Sequence, residues 1–372
     1  MTIDYERLPL RYLLCVDVKS FFASVEAVRR GLDPLKAYVI VVSDLRRPGA
    51  VVLASSPLVK KEYGIKTGNR KFEIPKDPKL LVVNPSMGLY LEVNRQINEI
   101  FRNFAADEDI LVYSIDESFL DLTATAHLFG NPGRAALLLK DQIYEKTGLC
   151  VTIGLGDNPL LAKLALDNAA KKAKHQVAYW SYERIPETLW RIPKLTDFWG
   201  ISRGWAKRLD KLGIRSVYAL AHSDPMLLKE RFGIMGLQQY YHANGVDYSV
   251  LSKPARPGSR GFSKGQVLMR DYFFEEEILV ILDEIIEEVA QRLRAHHLVC
   301  RRVHLSVGYS AKLMETGFSV SRRLKKDTAD TAGLQKMAHG IFAEHWQGAP
   351  VRQIQFALND LSEDVGRQLS FF

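Results

Sequence analysis

The first apolar run of the chain, Tyr12-Leu13-Leu14-Cys15-Val16, stops abruptly at Asp17. Its unbroken string of β-formers predicts a strand buried on both faces. From Lys19 to Arg30, Phe22, Val25, Ala27 and Val28 recur at helical spacing and Gly31 closes the segment, which predicts a helix. Two β-like runs, Tyr38–Val42 and Ala50–Ala54, flank a polar turn at 43–49. Pro75 and Pro78 break the chain, and Pro85 opens an amphipathic helix carrying Leu91, Ile97, Ile100 and Phe104. Ile110–Ile115 and Phe119–Leu122 read as a hairpin turning at Asp116-Glu117-Ser118. A helix (Arg134–Lys146), a strand (Cys150–Ile153) and a lysine-rich helix (Leu160–Lys172) complete a strand–helix–strand–strand–helix–strand series. That order predicts a ferredoxin-like layer, with an insertion near residues 31–84.

Beyond Trp180 the pattern changes to short helices punctuated by glycine. Pro254, Pro257 and Gly258 mark a linker. After it, Ile278, Ile281, Leu282, Ile285, Ile286, Val289 and Leu293 keep helical spacing. Val303, Leu305 and Val307 alternate with Arg302, His304 and Ser306, as in a half-exposed strand, and Gln353–Leu358 forms a last strand before a polar tail. The expected fold class is therefore a multidomain α+β protein.

Composition narrows the partners. The 372 residues carry 51 Lys and Arg against 43 Asp and Glu, a net charge of +8. A basic surplus favours a polyanion, nucleic acid before an anionic membrane. Cys15, Cys150 and Cys300 are odd in number and lack Cys-x-x-Cys spacing, which argues against disulfides or structural zinc and fits a reducing cytoplasm. No signal-like leader or run of ~20 apolar residues points to a membrane.

Three acids stand out: Asp17 at the end of the first strand, and Asp116 and Glu117 at the hairpin. In a ferredoxin-like layer that strand and hairpin are neighbours, so the three carboxylates can meet at one edge. Hard oxygen donors suit Mg²⁺, and a pair of such ions about 3.5–4 Å apart serves phosphoryl transfer. Lys19-Ser20-Phe21-Phe22 begins the next helix, whose backbone amides can receive phosphate.

Cys15–Glu26 (Cys-Val-Asp-Val-Lys-Ser-Phe-Phe-Ala-Ser-Val-Glu) and Tyr113–Thr123 (Tyr-Ser-Ile-Asp-Glu-Ser-Phe-Leu-Asp-Leu-Thr) resemble the two catalytic motifs of Y-family translesion DNA polymerases. Gly64–Gly68, Met87 with Tyr90, Thr152–Gly154 and Ala162–Ala165 extend the likeness over most of the chain. The Asp17-Val18-Lys19 pattern is closer to the UmuC-like (ImpB/MucB/SamB-type) bacterial branch. The resemblance implies a right-handed architecture: a palm at 1–30 and 85–180, fingers at 31–84, and a helix-hairpin-helix thumb at 181–253. A linker at 254–260, a little finger at 261–362 and a tail at 363–372 would follow. It implies that Asp17, Asp116 and Glu117, with the Val18 carbonyl, hold two Mg²⁺ ions. Phe22 would be the steric gate against a 2′-hydroxyl, with Phe21 packed in the core beside it. The incoming dNTP would meet Lys19, Ser20, Phe21, Phe22 and Lys171 (Lys172 being the alternative), together with Ser56 and Lys60, where the family often carries other residues.

Phe198-Trp199-Gly200-Ile201-Ser202 resembles a helix-hairpin-helix turn whose amides bind phosphate, and Gly233 marks a weaker second copy. In the last unit Arg301, Arg302, Arg322, Arg323 and Lys325 are expected on primer–template DNA. The terminal Gln368, Leu369, Phe371 and Phe372 resemble the peptide by which bacterial polymerases ride the sliding clamp. The implied function is error-prone, template-directed addition of dNTPs to a primer 3′-hydroxyl past damage in the cytoplasm, with damage-response accessory proteins as further partners. The alternatives are a non-catalytic DNA-binding recruitment subunit and a nucleotide cyclase. The intact acid trio speaks against the first; the glycine hairpins and the basic last unit speak against the second.

Overall fold

The computed structural model describes residues 3–253, 261–310, 313 and 315–364. The chain divides into two compact units, with the division after Pro254, at the start of the expected linker.

Unit 1 is built on a five-stranded sheet of order β5-β6-β1-β7-β8. Its strands are β1 (Leu13–Val18), β5 (Ile110–Val112), β6 (Glu117–Asp121), β7 (Val151–Gly156) and β8 (Val177–Trp180). The first four reproduce the ferredoxin-like order, and β8 adds a parallel edge beside β7. β1 lies between β6 and β7, antiparallel to both. Both its faces are covered, which is why its sequence is an unbroken apolar run. Leu14, Val16 and Val18 face the core shared with α1 (Phe21–Val28), α3 (Met87–Phe101) and α4 (Pro132–Thr147). Leu13 and Cys15 face α5 (Pro159–Asn168) on the other side.

The insertion forms a separate three-stranded sheet of order β3-β2-β4, from β2 (Val39–Val42), β3 (Val52–Ser55) and β4 (Leu81–Val83), with α2 (Pro57–Glu62) after β3. β4 is short and pairs in parallel with β2, so its sequence carries no turn signal to betray it. The hairpin also differs from expectation. Tyr113 and Ser114 both donate their N–H to the Glu117 carbonyl, so the turn occupies 113–116 and Glu117 already belongs to β6. The lysine-rich helix stops at Asn168, and Lys171 and Lys172 stand in a separate 3₁₀ turn.

Four helices close unit 1: α6 (Arg203–Asp210), α7 (Val217–Ala221), α8 (Pro225–Phe232) and α9 (Ile234–Ala243). Their core includes Leu160, Leu161 and Leu164 of α5 along with Ile185, Leu189, Phe198, Leu209 and Leu228. A boundary drawn at residue 181 therefore runs through one hydrophobic core.

Unit 2 is a four-stranded antiparallel sheet of order β11-β10-β12-β9, formed by β9 (Phe262–Tyr272), β10 (Leu298–Tyr309), β11 (Gly317–Thr328) and β12 (Val351–Glu363). Helices α10 (Glu275–Ala295) and α11 (Thr331–His345) cover one face through Leu282, Ile286, Val303, Leu305, Phe342 and Phe356. Among the described residues no helix is long and apolar enough to cross a membrane.

Candidate active site

The edge where β1, β6 and β7 end gathers the acids. Asp17 lies directly opposite Glu117 on β6 and opposite Thr152 on β7, so the three side chains share one face of the sheet. Asp116 accepts the Val18 N–H on its carbonyl at 2.9 Å, which ties the turn to the strand tip. Within that turn Ser114 donates its hydroxyl to Asp116 Oδ1 at 2.7 Å, and Asn94 of α3 holds the Ile115 carbonyl at 2.9 Å.

α5 lies against the same face because Gly154 and Gly156 leave it room. A Cβ at Gly154 would fall 2.1 Å from the Ala162 carbonyl oxygen, and one at Gly156 2.2 Å from the Ala162 nitrogen. This close approach brings Lys163 to Glu117, Nζ to Oε2 2.7 Å, with the buried Cys15 thiol 3.4 Å from the other oxygen. Lys163 also meets Asp167 at 3.0 Å; Lys171 meets Asp167 at 2.8 Å and Asp17 at 3.3 Å. Among the described residues no three His, Cys, Asp or Glu side chains converge into a closed cage, and the carboxylates stand in an alternating chain of charge instead.

Burial pushes the Asp17 carboxyl above its ordinary value; Lys171 opposes the shift, and the negative charges of Asp116 and Glu117 add to it. Burial also drives the Cys15 thiol well above its ordinary value. The Thr152 hydroxyl is fully buried on the acid face with no hydrogen-bond partner. The carboxylates and the orphan Thr152 hydroxyl are hard oxygen donors of the kind a divalent cation takes, although among the described residues they do not converge on one point.

A cavity of about 250 Å³ opens beside Asp17 and Asp116, lined also by Val18, Ser20, Phe21, Phe22, Lys60 and Thr67. Phe22 is half-buried and its ring stacks on Tyr90, centroids 4.4 Å apart and planes 14° from parallel. The Tyr90 hydroxyl donates to Glu26 at 2.9 Å, and Glu26 is fully buried. Phe21 packs in the core, as expected. Ser20 adopts a left-handed conformation (φ 49°) and accepts from Lys60 Nζ at 2.8 Å. Burial lowers the Lys60 ammonium's pKa.

Several expected contacts fall elsewhere. Ser56 is fully buried and structural: its hydroxyl donates to the Ala37 carbonyl at 2.6 Å and accepts the Val39 N–H at 3.2 Å, so it has no reach to a phosphate. The Lys19 ammonium lies 2.6 Å from the Gln176 side-chain amide and is not among the residues lining the cavity. Of the two lysine candidates, Lys171 reaches Asp17, whereas Lys172 lines a groove of about 670 Å³ with Asp167, Trp199, Gly200 and Ser202. At that groove Gly200 takes φ +89°, a turn that favours glycine, and Ser202 caps α6. Ile201 and Gly233, however, donate their N–H groups inward, to the Phe198 and Lys229 carbonyls at 3.1 and 2.8 Å. Those two amides are committed to the turns themselves.

In unit 2, Arg302 and Arg323 are direct cross-strand partners on the face away from the helices, and Lys325 follows at strand spacing. Arg322 points to the helix-covered face, where Glu344 of α11 binds it at 2.6 Å; Arg301 is paired with Asp327 at 2.9 Å. A strand alternates its faces, so a run of consecutive basic residues cannot all share one. Gln368, Leu369, Phe371 and Phe372 lie outside the described residues.

Lys163 and Asp167 went unassigned in the sequence. The available signal was a lone lysine within the apolar stretch Leu160–Leu166, since a buried ammonium requires a carboxylate partner.

Comparison with known proteins bears on the whole arrangement. A family model described as the impB/mucB/samB family matches residues 16–167, and the model of its C-terminal domain matches 259–371. The chain is 42% identical to UvrX of Bacillus subtilis (strain 168), named for UV-damage repair, over 100% of the chain and 88% of that protein. It is 35% identical to DNA polymerase IV 2 of Halalkalibacterium halodurans over 97% of the chain and 88% of the relative. Among solved structures, the Y-family DNA polymerase chimera Dbh-Dpo4(243-245)-Dbh superposes with a TM-score of 0.76 at 20% identity, covering 95% of this chain and 99% of its own.

Proposed function

The chain belongs to the impB/mucB/samB family of Y-family DNA polymerases, and from that membership we propose a template-directed, translesion polymerase that adds dNTPs to a primer 3′-hydroxyl. The observation that carries the reading is the register pairing Asp17 with Glu117 and Thr152, with Asp17 and Asp116 lining a cavity that also holds Phe22 and Lys60.

Asp17, Asp116 and Glu117, with the Val18 carbonyl, would hold two Mg²⁺ ions. When bound, these supply charge neutralisation at the leaving pyrophosphate and a readier 3′-alkoxide at the primer. The chain's own groups do the rest. Lys60, which lines the cavity, and Lys171, which reaches Asp17, would supply positive charge to a triphosphate. Phe22, braced by Tyr90, presents a flat wall to the sugar and leaves no room for a 2′-hydroxyl. Gly200 and Ser202, and in unit 2 Arg302, Arg323 and Lys325, are proposed to grip the DNA backbone without reading its sequence. The terminal Gln368–Phe372 segment would tether the enzyme to a sliding clamp, raising local concentration with no new DNA contact.

Primer extension on undamaged and lesion-bearing templates tests the assignment. Asp116→Ala and Glu117→Ala should each abolish extension and leave DNA affinity near that of the parent. Extension that survives both changes removes the acids from catalysis. Deletion of residues 368–372 should reduce extension only when clamp is supplied, and an equal loss without clamp refutes the tether.

A further inference from the structure

Lys171 does not face Asp17 alone. Asp167, one helical turn earlier, holds the Lys171 ammonium on Oδ1 at 2.8 Å and the Lys163 ammonium on Oδ2 at 3.0 Å. Lys163 continues to Glu117 at 2.7 Å, and Lys171 to Asp17 at 3.3 Å. Read in order, Glu117, Lys163, Asp167, Lys171 and Asp17 alternate in sign, with Asp167 at the centre. Lys163 is nearly enclosed (10% exposed) and cannot leave its partners cheaply; Lys171 is 42% exposed and can move.

We infer that Asp167 is a positioning residue, a carboxylate pivot that keeps Lys171 beside Asp17, in the wall of the nucleotide cavity, while that lysine exchanges Asp17 for an anionic phosphate. The inference rests on the reading of Lys171 as a triphosphate contact. The physical reason is a competition between anions. An ammonium held only by Asp17 must give up its sole partner to bind phosphate. Held also by Asp167, it keeps a charge-assisted hydrogen bond throughout and swings about a fixed point. Asp167 is 31% exposed and ends a helix, so replacing it by asparagine leaves the packing of α5 in place. Its oxygens also keep Lys163 from being shared by Glu117 alone.

The test is a double-mutant cycle on the full chain bound to primer–template, reading the affinity for a non-hydrolysable dNTP by calorimetry together with KM and kcat for extension. Asp167→Asn should weaken nucleotide binding about tenfold and raise KM more than it lowers kcat. Lys171→Met should do likewise, and the double variant should be no worse than Lys171→Met, because Asp167 acts through the lysine. Asp167→Glu should restore most of the affinity. Parental affinity in Asp167→Asn, even with a lower melting temperature, overturns the pivot, as do losses that simply multiply in the double variant. If Lys171→Met binds nucleotide normally, the reading of Lys171 fails and takes the pivot with it; if only Asp167→Asn is silent, the pivot alone fails.

Discussion

At the scale of single residues, Asp17 carries an electrostatic cost that fits its proposed role. Its carboxyl is raised by burial and by two neighbouring acids against the opposing charge of Lys171, so on balance the folded protein resists ionising it. Stability from this group is therefore present at pH values below the ordinary carboxylate range and falls as pH rises through the raised pKa. Asp17→Asn should melt at a higher temperature than the parent near neutral pH, with the gap closing below about pH 4, while extension is lost. Thermal melts across pH check the sign, and a lower melting temperature for the variant at pH 7 would contradict it. Phe22 yields a second residue-scale expectation. Cutting it to alanine removes the ring stacked on Tyr90, and ribonucleotide incorporation should rise roughly 10–100-fold relative to deoxynucleotide. Unchanged sugar selection in single-turnover assays would end its role as a gate. Asp17 stands out in the sequence at the end of an apolar strand, whereas Phe22 is singled out only by the family resemblance of the helix start. Ser56 is assigned to the triphosphate only by its place in the family pattern, and the fold shows its hydroxyl bridging Ala37 and Val39 instead.

At the scale of elements, the decisive contact is α5 on β7. Two glycines without side chains let a helix backbone rest on a strand, and that places Lys163 and Asp167 beside the acids. Gly154→Ala puts a methyl group 2.1 Å from a backbone oxygen that cannot move without the helix. It should destabilise the protein by about 1–3 kcal/mol or more and lower kcat, measured by denaturant unfolding and extension. Parental values for both would show that α5 does not set the geometry. The existence of most helices and strands in unit 1 followed from periodicity, but β4 and β8 did not. Both are short parallel strands, defined by partners far away in sequence rather than by local pattern. The basic run at 322–326 shows the same lesson on β11. Its composition suggested one surface, whereas the pleat divides Arg322 from Arg323.

For the whole molecule, a surplus of eight positive charges on a polymerase-family chain is expressed through its faces. If Arg323 neutralises a backbone phosphate, Arg323→Ala should reduce the slope of log affinity against log salt by about 0.9, with Arg322→Ala leaving it unchanged. DNA-binding titrations from low to physiological salt distinguish the two, and equal slopes would remove the open sheet face from the interface. Proline and glycine place the expected linker at 254–260, and the division into two compact units falls after Pro254. The boundary at residue 181 did not hold as a physical break, since the apolar side of α5 belongs to the core of the helices that follow.

By itself the sequence determined the identities of the acids, the order of the strands that carry them and the family to which the chain belongs, because these depend on residue type and short-range spacing. Tertiary structure alone decided which cations stand against those acids, which lysine reaches Asp17 and which arginines share a face. Those outcomes depend on strand register and on how closely a helix lies on a sheet, and both are fixed by contacts between residues far apart along the chain.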